Sequence, residues 1–112
     1  MKILGIGVDI IKNKRIKSLL KNKNFIKRTF GKKEVQLSRK ISNKYLYFAK
    51  RFAAKESFAK ALGTGFRNNL NFKDIEILND KIGKPYYFKS TKINNIVRQK
   101  FNIKKYNLFL SI

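Results

Sequence analysis

The sequence predicts an α+β fold in a single domain, on three observations. Apolar residues recur at helical spacing in four segments, three of them before Gly63. Shorter stretches, chiefly towards the C-terminus, alternate apolar and polar residues as strands do. The chain has 112 residues with one Pro, no internal repeat and no linker, which fits one domain with one modest core. The expected element order is β-α-α-α-β-β-α-β, an antiparallel sheet packed with helices.

Taken in order, Ile3 to Ile11 is β-branched and apolar, interrupted by Gly5, Gly7 and Asp9. It reads as a buried strand with close backbone approaches at the glycines. From Asn13 to Thr29, Ile16, Leu19, Leu20 and Ile26 alternate with Lys and Arg in a helical pattern, and a second short helix covers Lys32 to Ile41. Ser42 or Asn43 is the expected N-cap of the longest periodic segment, which runs to Leu62 and stops at Gly63. Asp74 to Leu78 and Pro85 to Phe88 form a hairpin around the turn Asn79-Asp80-Lys81-Ile82-Gly83. Thr91 to Phe101 is a helix with Ile93, Ile96 and Val97 inward, and Tyr106 to Ile112 is a last strand.

Composition narrows the chemistry. There is no Cys, which excludes disulfides, thiolate zinc sites and cysteine nucleophiles, and no His, the usual general base and commonest metal ligand. The 28 Lys and Arg against 6 Asp and Glu give a net charge of +22, pointing to polyanionic partners. Lys, Ile and Asn are all abundant, a mix that AT-rich coding also imposes. No apolar run approaches the ~20 residues that span a bilayer, and the start lacks a signal peptide's apolar region, so a cytoplasmic setting is expected.

Six acidic residues make each one informative. Glu34, Asp74, Glu76 and Asp80 read as ordinary surface groups. Asp9 ends an apolar strand, where a carboxylate needs a partner: a salt bridge, a helix cap, or a hard cation. Glu56 lies on a strip with Ala49, Ala53 and Lys60, beside the apolar stripe of Phe48, Phe52, Ala59 and Leu62. Small neighbours leave open space around it; the plainer reading is an i,i+4 pair with Lys60, worth only ~0.2–0.5 kcal/mol. Lys55 projects near the centre of the apolar stripe, either snorkelling past it or reaching a buried anion. Carboxylates from a strand end and a helix suit Mg²⁺, which takes one or two of them plus phosphates and water. Gly63-Thr64-Gly65 allows close backbone approach or is a plain helix stop, and Gly83-Lys84-Pro85 is either a ligand contact or a hairpin turn.

Three segments occur here in the order and spacing of the holo-acyl-carrier-protein synthase family. They are Ile6-Gly7-Val8-Asp9-Ile10, Arg51-Phe52-Ala53-Ala54-Lys55-Glu56-Ser57-Phe58-Ala59-Lys60-Ala61-Leu62-Gly63-Thr64-Gly65, and Gly83-Lys84-Pro85. The chain therefore resembles the small bacterial branch of the 4′-phosphopantetheinyl transferases along essentially its whole length. The resemblance implies transfer of the 4′-phosphopantetheine arm of coenzyme A to a serine of apo acyl carrier protein, in support of fatty acid biosynthesis, with release of adenosine 3′,5′-bisphosphate. It implies that Asp9 and Glu56 hold Mg²⁺ on the coenzyme's diphosphate and that Lys60 contacts the phosphates. Gly83, Lys84 and Pro85 would lie against coenzyme A, with Gly63 at the end of the same helix. It further implies a homotrimer with the active site between subunits.

Acyl carrier protein is acidic, which gives the basic residues Arg15, Lys17, Lys21 and Arg28 of the first helical stretch a steering role. One departure stands out. Family members continue past a Ser-His-like motif into a final strand, whereas this sequence ends at Leu108-Phe109-Leu110-Ser111-Ile112. The competing reading is a basic nucleic-acid-binding module, driven by the charge and the interleaved Phe and Tyr. It gives no reason for Asp9, or for Glu56 amid alanines, so neither nucleic acid nor membrane is expected as a partner.

Overall fold

The computed structural model describes residues 2–9, 13–67 and 69–112. Its spine is the helix α4, Lys44–Leu62, which is preceded by α1 (Asn13–Leu20), α2 (Lys23–Thr29) and α3 (Lys32–Ser38). A single 3₁₀ turn at Phe72–Asp74 leads into β1 (Ile77–Asn79) and β2 (Pro85–Tyr87), and α5 (Thr91–Phe101) follows.

Helix α4 starts and stops where its local chemistry dictates. The Asn43 side chain accepts a hydrogen bond from the Leu46 amide at 3.1 Å, and Gly63 ends the helix in the left-handed region at φ 87°. Its two halves bury different cores. Tyr47, Phe48, Ala49 and Phe52 pack with Ile16, Phe25 and Phe30 from α1, α2 and the turn after it. Ala54, Phe58 and Leu62 pack with Leu70, Ile75, Ile77, Ile93 and Val97. The first core is largely aromatic, with Phe30 against Phe48 at 4.7 Å and Phe25 against Phe52 at 5.8 Å between ring centroids.

Several expectations hold. Hairpin pairing is antiparallel, Ile77 opposite Tyr87 and Asn79 opposite Pro85, and Asp80 organises the turn by accepting from the amides of Ile82 (3.0 Å) and Lys84 (2.8 Å). Helix α5 has the expected bounds, capped by Ser90, with Ile93 and Val97 buried and Ile96 partly so.

Others are corrected. The single helix expected over Asn13 to Thr29 is two, because the Asn22 side chain caps the amides of Asn24 (2.9 Å) and Phe25 (3.4 Å) and starts a new helix. The helix expected from Lys32 ends at Ser38, and Asp74 belongs to the 3₁₀ turn, where it caps the Asn71 amide at 2.8 Å and pairs with Lys92. The buried strand expected over Ile3 to Ile11 is neither a strand nor buried over residues 2–9: Ile3, Ile6 and Val8 are 65%, 73% and 70% exposed. Ile10 and Ile11 lie outside the described residues. Along Tyr106 to Ser111 partial burial alternates with exposure as in a strand, yet no ladder forms. In both cases the pattern has the strand period, but among the described residues no neighbouring strand accepts the pairing. The sheet therefore has two strands, β1 and β2, among the described residues.

What replaces pairing for residues 2–9 is close contact with α4. A Cβ on Gly5 would collide with the backbone carbonyl oxygen of Ala61, and one on Gly7 with that of Ser57. The two glycines thus let the segment lie directly on the helix, as their place in the sequence predicts.

The largest correction concerns Glu34, which is not a surface group. It has no exposed side-chain surface and pairs at 2.7 Å with Lys55, equally buried. Lys55 spends its three protons on Glu34 Oε1, the Phe72 carbonyl oxygen (3.0 Å) and the Ile75 carbonyl oxygen. Glu34 in turn accepts from the amides of Gly31 (3.0 Å) and Ile77 (3.3 Å), while Tyr47 donates to its backbone carbonyl. A buried pair survives only when its remaining valences are met in this way. Burial pulls the Lys55 pKa down, and the Glu34 charge opposes that shift.

Two outcomes follow. Glu34→Gln should cost ~3–5 kcal/mol in urea denaturation by stranding the Lys55 charge, and adding Lys55→Met should recover most of it. Gly7→Ala should raise the susceptibility of residues 2–9 to limited proteolysis while the far-UV melt of the helices stays in place.

Candidate active site

Residues 2–9 run over Ala61 and then Ser57, and the Lys60 side chain, from between those two positions on α4, reaches Asp9. The Lys60 ammonium donates to Asp9 Oδ1 at 2.5 Å and to the Val8 carbonyl oxygen at 3.2 Å. The Asp9 side chain is only 10% exposed, whereas that of Lys60 is 55% exposed, so one end of the pair remains open to solvent. The hydrogen bond it donates to Asp9 is the main reason the Lys60 pKa is raised.

Glu56 lies one turn before Lys60 on the same strip and is half-buried. Among the described residues no hydrogen bond or ion pair engages its carboxylate. Its pKa is raised, first by burial and then by repulsion from Asp9, with Arg15 and Lys60 pulling it back. The structure thus brings together two carboxylates that repel one another and a lysine bound to one of them. No group of three or more acidic side chains occurs among the described residues, so these two carboxylates are what the chain offers a cation here.

Of the basic residues singled out in the sequence, Arg15 acts electrostatically on Glu56. Lys17, Lys21 and Arg28 are exposed; Lys17 lies over the Tyr45 ring at 5.1 Å and Arg28 over Phe25 at 5.8 Å. Gly63 is exposed and ends α4, with its amide bonded to the carbonyls of Ala59 and Lys60. Gly83, at φ 86°, and Lys84 form the hairpin turn, and Pro85 opens β2. No hydrogen bond or ion pair among the described residues joins that turn directly to Asp9, Glu56 or Lys60.

Sequence reading missed the burial of Arg51, whose guanidinium stacks on Tyr47 at 3.8 Å and donates to Asn79 Oδ1 at 3.0 Å. It also missed Glu34 as the partner of Lys55. A lysine in the middle of an apolar stripe was the one available signal for a buried anion.

Comparison with known proteins gives this arrangement its context. The sequence profile described as ACPS, 4′-phosphopantetheinyl transferase superfamily, matches residues 5–110. A holo-[acyl-carrier-protein] synthase of Pelagibacter ubique is 60% identical over 112 residues, all of this chain and 88% of that protein. The crystal structure of holo-[acyl-carrier-protein] synthase from Neisseria meningitidis superposes with a TM-score of 0.81 at 38% identity, over 89% of this chain and 82% of that one. A Bacillus anthracis holo-(acyl-carrier-protein) synthase, solved in complex with CoA (3′,5′-ADP), gives 0.72 at 41% identity, over 80% of this chain and 77% of that one. On the matched profile, the 60% identity and the shared fold, this chain belongs to the 4′-phosphopantetheinyl transferase superfamily.

Proposed function

We infer that this protein is a holo-acyl-carrier-protein synthase, moving 4′-phosphopantetheine from coenzyme A to a serine of apo acyl carrier protein. The observation that carries the reading is the placement of Asp9, from the N-terminal segment, beside the strip of α4 that bears Glu56 and Lys60, in a chain with this family membership. In the reaction the serine oxygen attacks the phosphorus bearing the pantetheine arm. The bond between that phosphorus and the bridging oxygen breaks, adenosine 3′,5′-bisphosphate leaves, and the serine proton is lost.

Mg²⁺ fits the residues present, since two carboxylates near enough to repel each other supply oxygen donors of the kind it takes alongside phosphates and water. Asp9 and Glu56 would hold it. When bound, it neutralises the diphosphate and polarises the phosphorus under attack. The protein's own part is electrostatic and positional. The exposed Lys60 ammonium swings between Asp9 and a phosphate oxygen, supporting charge on the leaving group. Arg15 adds positive charge near Glu56. Gly83, Lys84 and Pro85 present the hairpin turn to the coenzyme, and Gly63 lets the end of α4 approach it.

Lys17, Lys21 and Arg28, all exposed along α1 and α2, steer an acidic carrier protein together with Arg15. Ile3, Ile6, Val8 and Phe109, all exposed in the single chain, are read as faces covered by other subunits in a homotrimer. A nucleic-acid-binding role would leave the Asp9–Glu56 juxtaposition without purpose.

The test is intact-mass spectrometry of apo acyl carrier protein incubated with this protein, coenzyme A and MgCl₂, with an EDTA control. A metal-dependent gain of one phosphopantetheine group is expected; no gain with magnesium present would refute the reading. Glu56→Gln should lower transfer ~10²–10³-fold without lowering the melting temperature. The sign follows from the raised Glu56 pKa: ionising this carboxyl costs the fold stability above its folded pKa, and the amide removes that cost.

A further inference from the structure

The buried Lys55–Glu34 pair is absorbed neither by the metal-binding strip nor by the carrier face, yet its partners run towards the hairpin. Lys55 stands next to Glu56 on α4 and donates to the carbonyls of Phe72 and Ile75, the two residues flanking the approach to β1. Glu34 Oε2 accepts from the amide of Ile77, the first residue of β1. Ile77 is paired with Tyr87 on β2, and the Tyr87 hydroxyl donates to the carbonyl of Ala54, one residue before Lys55, at 2.6 Å. Both strands are therefore fastened at their base to the same turn of α4. At the far end, Asp80 holds the amide of Lys84 at 2.8 Å. An unbroken run of short contacts links the backbone at Glu56 to Lys84.

We propose that Lys55, acting with Glu34 and Tyr87, is a positioning residue that sets the Gly83-Lys84-Pro85 turn relative to the strip bearing Glu56 and Lys60. The inference rests on the transferase reading, in which both parts meet coenzyme A. Helix α4 needs no ion pair for its own hydrogen bonds, and the aliphatic core beside Ile77 would accept an apolar residue in place of Lys55. What an apolar residue lacks is direction. The ammonium engages three fixed acceptors at once, and so defines the rotation of α4 against the base of the hairpin. A shift of the turn by a fraction of its own width separates the two halves of a ligand site.

The test uses the full-length chain, with KM for coenzyme A, KM for apo acyl carrier protein, and amide hydrogen exchange over residues 79–87. Wild-type transfer is measured first; if it is absent, the transferase reading fails and the exchange data alone judge the positioning. In Lys55→Met/Glu34→Gln, KM for coenzyme A should rise about tenfold, KM for the carrier protein should stay near its original value, and exchange over 79–87 should accelerate. A variant that melts cooperatively with all three unchanged overturns the proposal. So does a fall in kcat with both KM values unchanged, the mark of a smaller folded fraction. If the double variant does not melt cooperatively, Tyr87→Phe decides, because it removes a single hydroxyl: a raised KM for coenzyme A alone supports the proposal, and an unchanged one overturns it.

Discussion

A lysine and a glutamate with no access to water hold this fold in register. Taking two ions from water is expensive, and their attraction offsets that expense only when every remaining proton and lone pair finds a partner. Here the ammonium has three acceptors, and the carboxylate takes two amides besides the lysine. Those partners come from four places: the start of α3, the middle of α4, the 3₁₀ turn and the first strand. The aromatic core on one side and the aliphatic core on the other are non-directional, and either would tolerate a small slide of α4. The ion pair does not.

The outer strip of the same helix shows the opposite economy. Glu56 is half-buried, repelled by Asp9 and without a hydrogen bond or ion pair among the described residues, and burial raises its pKa. Asp9 and Lys60 satisfy each other, but through a lysine whose head is open to solvent. Inside, ions are locked and fully paired; outside, they are left partly unsatisfied. Residues that break local rules in this way are where ligands are expected to bind.

Much of this could be read from the chain because the signals were local. Asn43 and Gly63 mark the ends of α4 through interactions within a few residues, and the same is true of Ser90 before α5 and of Asp80 in the hairpin turn. Glu56 and Lys60 were legible as neighbours because four residues make one helical turn. Glu34 was not, since nothing in Lys32 to Ser38 says that a lysine 21 residues later will turn inward to meet it. The terminal segments failed for a related reason: alternation marks a strand's faces, but a strand also needs a neighbour to pair with, and sequence period says nothing of that neighbour. Asn22 failed differently, as a cap hidden within an otherwise continuous apolar rhythm.

The glycine-mediated seat of residues 2–9 has a consequence for the order in which the molecule is made. Asp9 is synthesised 51 residues before Lys60. The early segment must wait, unpaired, until α4 has emerged and coiled, and closing so long a loop is opposed by chain entropy that grows with its length. Helices α1 to α3 can meanwhile settle against the first half of α4 through contacts of shorter range. The contact between Asp9 and Lys60 thus cannot form before α4 has been made. A nascent or partly unfolded chain can possess its aromatic core and still lack the site altogether.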